Sequence, residues 1–143
     1  FKTPANQFEC MRVGCVNSGT LFNEGKATSF KINYDATEFA AGVITFYVMP
    51  PANAASVNVK LANDTNFTDD WLWAIPLAGI NTGADGYKAV IVDMSKAPTV
   101  EGTGYAPSAT GAFLQIEVVP DDPAEDMSGV GISSILICQC RLC

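Results

Sequence analysis

The sequence has no histidine, few charged residues and no long apolar run. Charged residues make up 16% of its 143 residues, against roughly 25% in an ordinary globular domain. Without histidine, the Ser-His-Asp and Cys-His nucleophile arrangements and the histidine-based zinc hydrolases are excluded. No apolar run approaches the roughly 20 residues of a membrane-spanning helix. We therefore expect neither a histidine-dependent enzyme nor a membrane partner.

The net charge of −7 also limits the classes of partner that we expect this protein to bind. The 8 Lys and Arg residues are scattered and cannot form the positive stripe that neutralises phosphates, so we expect no nucleic-acid partner. The same negative sign opposes binding to an anionic membrane surface. A hydrophobic share of 48% is enough to build a substantial core. No repeat, linker or change of composition divides the chain, and we assign residues 1–143 to a single domain.

Short stretches of alternating apolar and polar residues fill the sequence. In one of them Phe30, Ile32 and Tyr34 share a face, and Lys31 and Asn33 share the other. The predicted strands cover residues 28–34, 43–49, 56–61, 87–94, 112–119 and 131–138, with a further strand over 8–13. Turns rich in Gly, Pro, Asn and Asp separate them, and helix is limited to one turn near 35–41. The pattern predicts an all-β fold, a single antiparallel β-sandwich of seven or eight strands that is jelly-roll-like.

The alternation also predicts which side chains form the core. These are Phe30, Ile32, Phe46, Val48, Val57, Val90, Val92, Leu114, Ile116, Ile135 and Ile137. The run Val43–Met49 is apolar at nearly every position, which is typical of a central strand covered on both faces.

All five cysteines lie near the two ends of the chain, and they are Cys10, Cys15, Cys138, Cys140 and Cys143. If the first and last strands are neighbours in one sheet, these thiols converge, and we predict that the strands carrying Cys10 and Cys138 are neighbours. Three interpretations stay open: one or more disulfides, a structural zinc site of four thiolates, and buried free thiols. Structural zinc is the one cofactor that the sequence suggests, and we otherwise expect none.

Several carboxylates fall in turn-like segments. They are Asp69-Asp70, Asp85, Asp93, Asp121-Asp122 and Glu125-Asp126. Such groups can act as the acid and base of a histidine-free glycosidase or ligate calcium. Asp is also favoured in turns for its local hydrogen bonding. We predict solvated loop carboxylates and no catalytic residues.

Four aromatic residues are candidates for a contact surface. Trp71 and Trp73, two residues apart, share one face of a strand and, with Phe67 and Tyr87, could form a platform on which a sugar ring stacks. The alternative is that Trp71–Ile75 is an edge or core strand whose indoles pack inside the domain or against a neighbouring subunit. We favour this alternative and expect the rings to be covered.

Two stretches carry a resemblance to known families. Asp85–Ser95, which reads DGYKAVIVDMS, and Gly129–Ile135, which reads GVGISSI, resemble virion structural proteins of decoration or tail type from large tailed bacteriophages. That resemblance implies a β-sandwich core with cysteines near its ends, trimmed by a maturation protease. The same stretches are similar to non-catalytic jelly-roll carbohydrate-binding modules. This second resemblance implies Trp71, Trp73 and Tyr87 as sugar-stacking positions.

The start of the sequence and the weak charge favour an assembly component. Phe1 follows no initiator Met or signal-peptide pattern, which we interpret as a processed terminus held by neighbours. We therefore expect a non-enzymatic structural subunit of a virion or filament, located in the virion or outside the cell. Its partners would be copies of itself, as a homo-oligomer, or a larger protein shell. The alternative is a secreted carbohydrate-binding module stacking sugars on Trp71 and Trp73, and the third hypothesis is a small two-carboxylate hydrolase.

Overall fold

The structure, a computed structural model, describes residues 2–3, 8–16, 28–33, 36–39, 41–50, 54–67, 69–103, 105–108, 110–121 and 131–140. Their helical content is one 3-10 turn, Ala36–Phe39, where a single helical turn is predicted. Over these ranges no helix has the length and apolar character needed to cross a membrane.

The described residues form ten β-strands. They are β1 Lys2–Thr3, β2 Phe8–Val16, β3 Thr28–Ile32, β4 Val43–Met49, β5 Ala54–Ala62, β6 Trp71–Pro76, β7 Lys88–Asp93, β8 Val100–Glu101, β9 Ala112–Pro120 and β10 Gly131–Cys140. They build two antiparallel sheets with the orders β1-β2-β10-β4-β7 and β3-β9-β5-β6-β8. The predicted antiparallel sandwich is confirmed.

The connections between the strands define the type of sandwich. Apart from the two-residue strands β1 and β8, each sheet contains four strands, in the orders β2-β10-β4-β7 and β3-β9-β5-β6. Among these eight strands only β5 and β6 follow each other within one sheet, and every other connection passes to the opposite sheet. Eight strands wound in this way form a jelly roll.

Side chains from alternate positions of both sheets fill the interior. In β4, Ile44, Phe46 and Val48 are buried, whereas Thr45 and Tyr47 lie on the other side of the strand. All of the predicted core residues are buried except Phe30, which is half-buried and packs against the core. Phe30 lies in β3, an edge strand of its sheet, so it has a neighbouring strand on one side only.

The strand boundaries differ from the predicted ones in small ways. β4 has the predicted limits, whereas β3 ends at Ile32 and Tyr34 lies outside the described residues. Residues 71–75, interpreted from the sequence as an edge or core strand, lie in strand β6 of the sandwich. The two-residue strand β8 has no alternating pattern long enough to be recognised in the sequence.

The first long strand and the last strand lie side by side. β2 pairs with β10, with Cys10 opposite Cys138 and Phe8 opposite Cys140. The prediction that these two strands are neighbours is confirmed. Because the pairing is antiparallel, the start of β2 and the end of β10 lie at the same end of the sheet.

We expect truncation of Ile116 to destabilise the domain strongly. Its side chain is fully buried in the core, so Ile116→Ala removes apolar contacts and leaves a cavity, at a cost of about 2–5 kcal/mol. Urea unfolding measures the loss. The control is Gln115→Ala, whose side chain faces outward beside it and which should cost about 1 kcal/mol or less. Equal stability of Ile116→Ala and wild type would contradict the strand register.

Candidate functional site

The outer side of the sheet that contains β4 is mostly apolar. The register places residues of β2, β10, β4 and β7 in rows across the sheet, for example Arg12, Leu136, Thr45 and Ile91 in one row. Tyr47 and Ala89 form the next row along β4 and β7. We call this surface the outer apolar face, and its members are Val43, Thr45, Tyr47, Met49, Ala89, Ile91 and Leu136.

Two large side chains on this face are well exposed. Tyr47 is 49% exposed and Ile91 is 65% exposed, and they lie diagonally across the β4–β7 pair. The nearly continuous apolar run Val43–Met49 predicted a strand with both faces covered. The structure covers one face with the core of the domain, while Tyr47 stays half exposed on the other. An adjoining set of apolar, partly exposed side chains of this kind is a candidate interaction surface.

Among the side chains that the structure describes, one carboxylate borders the outer apolar face. Asp93 lies at the end of β7, opposite Val43, and its Oδ1 accepts hydrogen bonds from Ser95 N at 3.0 Å and from Ser95 Oγ at 2.5 Å. The hydrogen bond from the Ser95 hydroxyl, followed by that from its backbone N–H, lowers the pKa of Asp93. The hydrogen bonds from Ser95 therefore hold the negative charge of Asp93 at the edge of the outer apolar face.

The outer side of the opposite sheet is different because its polar groups bind each other. Asn58 Nδ2 donates to Glu117 Oε1 at 3.0 Å, and Lys60 Nζ lies 3.6 Å from the same oxygen. Gln115 Nε2 donates to Ser29 Oγ at 3.3 Å. This surface is that of an antiparallel sheet facing water. The two outer sides of the sandwich thus differ over their central strands: polar groups pair across β3, β9 and β5 on one side, whereas β4 and β7 expose apolar side chains on the other. On the edge strand β8 of the polar side, Val100 is also 53% exposed.

The two tryptophans of β6 belong to the interior of the domain. Trp73 is 6% exposed and its Nε1 donates to Lys96 O at 3.4 Å, while Trp71 is half-buried against the core. Their rings meet edge to face, with centroids 6.2 Å apart at 84°. Sugar stacking needs accessible ring faces, which Trp73 does not offer. Trp73 is covered by its own chain, whereas Trp71 is half-buried.

Tyr105 closes this aromatic cluster. Its ring lies 4.9 Å from the ring of Trp71 at 76°, and Tyr105 is itself buried. The indole Nε1 of Trp71 is buried and has no hydrogen-bond partner within the described part of the chain. The cavity that Trp71 and Tyr105 help to line measures about 10 Å³, which is at most the space of one water molecule.

The other two aromatic candidates lie apart from β6. Phe67 is 9% exposed and follows the loop after β5, with a positive φ of 52° that is uncommon for a residue other than glycine. Tyr87 is half-buried just before β7, and its N–H donates to Asp85 Oδ1 at 3.1 Å. Of the four predicted aromatic residues the structure brings Trp71 and Trp73 together.

Cys138 is part of a disulfide. It is 5% exposed, lies in β10, and is opposite Cys10 in β2. Cys10, Cys15 and Cys140 lie in strands for which the backbone is described, and Cys143 lies outside the described residues. The cysteine spacing leaves disulfides, structural zinc and free thiols open. For Cys138 the disulfide is the interpretation that applies.

The carboxylates predicted as possible ligands are dispersed over several turns. Among the side chains that the structure describes, no group of three or more His, Cys, Asp or Glu residues could hold a metal ion. Asp69, Asp85 and Asp121 are exposed, as predicted for loop carboxylates, whereas Asp70 is buried. Asp122 and Glu125-Asp126 lie outside the described residues.

One open cavity has the volume of a small-molecule site. It measures about 550 Å³ and lies at the end of the sandwich where β4 ends and β5 begins. Its charged residues are Lys88 and Asp121, and Lys88 Nζ already donates to Ile80 O at 2.5 Å. The remaining lining is small and apolar or hydroxylic, such as Ala54 and Thr82.

The architecture places the chain in the class of jelly-roll sandwiches. Comparison of the sequence with protein-family models and with curated proteins gives no match. A jelly roll is used for unrelated functions, so the function has to be argued from the surfaces of this chain.

We expect non-reducing peptide mapping to find Cys138 linked to Cys10. The register sets these two residues directly opposite each other, at a Cα separation that suits a disulfide. Proteolysis of the untreated protein, followed by mass spectrometry, identifies the linked peptides. The control is the same digest after reduction, in which the linked mass disappears. A peptide joining Cys138 to another cysteine would contradict this pairing.

We expect Tyr105 to make the domain sensitive to alkaline pH. Burial raises the pKa of Tyr105 from 10.0 to about 12. Below the unfolded pKa the phenol is neutral in both states, and the full stability is present. As the pH rises from about 10 towards about 12, the unfolded state ionises first, and up to about 2–3 kcal/mol of stability is lost.

Urea unfolding at about pH 9 and about pH 11.5 measures this loss, and Tyr105→Phe should reduce it. The matched control is Tyr47→Phe, which removes a half-exposed hydroxyl on the outer apolar face. If Tyr105→Phe loses as much stability between the two pH values as wild type, the buried phenol is not the cause.

Proposed function

We propose that this protein is a non-enzymatic structural subunit of a virion or filament. It packs the outer apolar face against a neighbouring protein in the assembly. The single observation that carries the proposal is the contrast between the two outer sides of the sandwich. On one side polar groups bind each other, and on the other Tyr47 and Ile91 are exposed among mostly apolar residues of β4 and β7.

The energetics of the outer apolar face support a role in protein contacts. An apolar side chain as large as Ile91 gains about 1.5–3 kcal/mol when it moves from water into a packed interface. Selection for an isolated domain in water favours polar residues at such positions of an antiparallel sheet, as on the opposite side of this molecule. The apolar residues at the corresponding positions of β4 and β7 are therefore consistent with a partner that covers them.

The disulfide of Cys138 supports a location outside the reducing cytoplasm. Disulfides persist in secreted proteins and on the surfaces of virions and cells, whereas cytosolic thiols are kept reduced. This fits a subunit exposed to an oxidising medium. It fits a secreted protein equally well, so it supports the location without separating the two candidate functions.

A second candidate is a secreted carbohydrate-binding module. The observation that favours it is the cavity of about 550 Å³ next to Lys88 and Asp121, since the burial of Trp73 leaves the β6 tryptophans unsuited to stacking. A glycan array on the wild-type protein tests this candidate. Binding of a polysaccharide that is lost in Asp121→Ala would favour the module over the structural subunit.

We expect the wild-type protein to self-associate in a concentration-dependent manner, and Ile91→Lys to weaken the association about 10- to 100-fold. The estimate follows from the loss of one buried aliphatic side chain, since about 1.4 kcal/mol corresponds to a tenfold change. Sedimentation velocity and negative-stain images give the size of the particles. The matched control is Val100→Lys, because Val100 is 53% exposed but lies on β8 in the opposite sheet. A wild type that stays monomeric would contradict the proposal.

A further inference from the structure

The loop between β5 and β6 carries two copies of one short motif. Asn63-Asp64-Thr65 and Asn66-Phe67-Thr68 both read Asn-x-Thr, and x is not proline in either. This tripeptide is the acceptor sequence for N-linked glycans. No other Asn of the chain is followed two residues later by Ser or Thr. So short a motif points to a glycan only where it lies in a surface loop of a secreted protein.

The first motif lies on the surface over its whole length. The loop is anchored at one side by Ala62, which is 2% exposed at the end of β5, and at the other by Phe67, which is 9% exposed. Between these anchors, residues 63–66 are all exposed. A bulky glycan on the first asparagine therefore points into solvent and displaces no side chain of the core.

The disulfide supplies the second condition, passage through an oxidising compartment. Cys138 is disulfide-bonded. Disulfides form in the lumen of the endoplasmic reticulum and in other oxidising compartments outside the cytosol. N-linked glycans are attached to secreted chains on the same route. A chain that forms this disulfide is therefore exposed to the transferase that modifies Asn-x-Thr.

We propose that Asn63 carries an N-linked oligosaccharide. The donor is an oligosaccharide joined to a polyprenyl diphosphate, and Nδ2 of Asn63 attacks the anomeric carbon of its first sugar. A bond from Nδ2 to this carbon forms while the bond from the carbon to the diphosphate oxygen breaks. The polyprenyl diphosphate is the leaving group, and one amide proton passes to a basic group of the transferase. The transfer requires neither an oxidant nor a reductant.

The order of synthesis and the shape of the loop favour Asn63 over Asn66. The chain enters the compartment from its N-terminal side, so Asn63 meets the transferase first, and a glycan there obstructs an acceptor three residues away. The middle residue of the second motif, Phe67, is buried and has a φ of 52°. In addition, Asn66 N–H donates to Asp64 Oδ1 at 2.9 Å. Once the loop has folded, the second motif cannot extend into an enzyme.

The glycan determines which end of the sandwich faces the medium. The last pair of the β5–β6 ladder joins Leu61 to Trp71, so the loop projects from the end of the sandwich and leaves both outer sides uncovered. An assembly that packs the outer apolar face can therefore accommodate the glycan. The inference does not depend on the proposed function, which would stand unchanged if Asn63 proved to be unmodified.

The direct test is glycopeptide mapping of the protein purified from its own source. An amidase that removes N-linked glycans converts the modified asparagine to aspartate, and water enriched in heavy oxygen labels that aspartate. We expect the label at residue 63. Its absence from residue 63, which includes the case of label at residue 66 alone, overturns the inference.

Variants secreted from glycosylating eukaryotic cells test the motif, all in an Asn66→Gln background that removes the neighbouring acceptor. Thr65→Ala should lose all of the mass that the amidase removes, whereas Thr65→Ser, which keeps the hydroxyl, should retain it. The matched control is Thr82→Ala, because Thr82 is also an exposed loop threonine but lies in no such motif. Circular dichroism checks that each variant keeps the strand signal. A glycan that persists in Thr65→Ala, or that is lost in Thr82→Ala, would contradict the assignment to this motif.

Discussion

The packing of two sheets through one shared interior is the constraint on which the rest of this structure depends. Each long strand must send every second side chain inward, because period-2 alternation is the only way a flat strand can contribute to a layer between sheets. In β4 this places Ile44, Phe46 and Val48 inside and leaves the intervening positions free to vary. Those outward positions are mostly apolar on β4 and β7 and mostly polar on β5 and β9, and this difference distinguishes the centres of the two outer sides.

Most of the fold follows from that alternation and could be predicted from the sequence. The burial of residues such as Leu114 and Ile116 follows from apolar residues spaced two apart, and the limits of β4 follow from its nearly continuous apolar run. A single sequence displays both patterns directly. Phe30 is less buried than predicted because β3 lies at the edge of its sheet. The alternating pattern of one strand does not show which strands lie at an edge. β8 has two residues, too few to show any period.

The candidate site was harder to predict, because it depends on which strands are neighbours. Tyr47 and Ile91 are far apart in the sequence, and only the pairing of β4 with β7 makes them adjacent. The available signal was the nearly continuous apolar run Val43–Met49, since a strand with one face in the core needs a reason to be apolar on the other. The Trp71–Trp73 spacing predicts that both rings share one face of β6, and in the structure that face is the inner one. A spacing of two residues predicts that two side chains share one face of a strand. Whether that face points to the core or to the solvent depends on how the two sheets pack together.

The pairing of the first long strand with the last one has a mechanical consequence. Because Phe8 lies opposite Cys140, tension applied at these two positions pulls the strands apart from one end. The hydrogen bonds of the β2–β10 ladder then break one after another, which requires far less force than breaking them all at once. Cys138 lies only two residues inward from Cys140 along β10, so the link to Cys10 predicted above would stop the separation almost where it begins. In an assembly under tension, such a link would keep β2 and β10 paired at the end where the two strands would otherwise begin to separate.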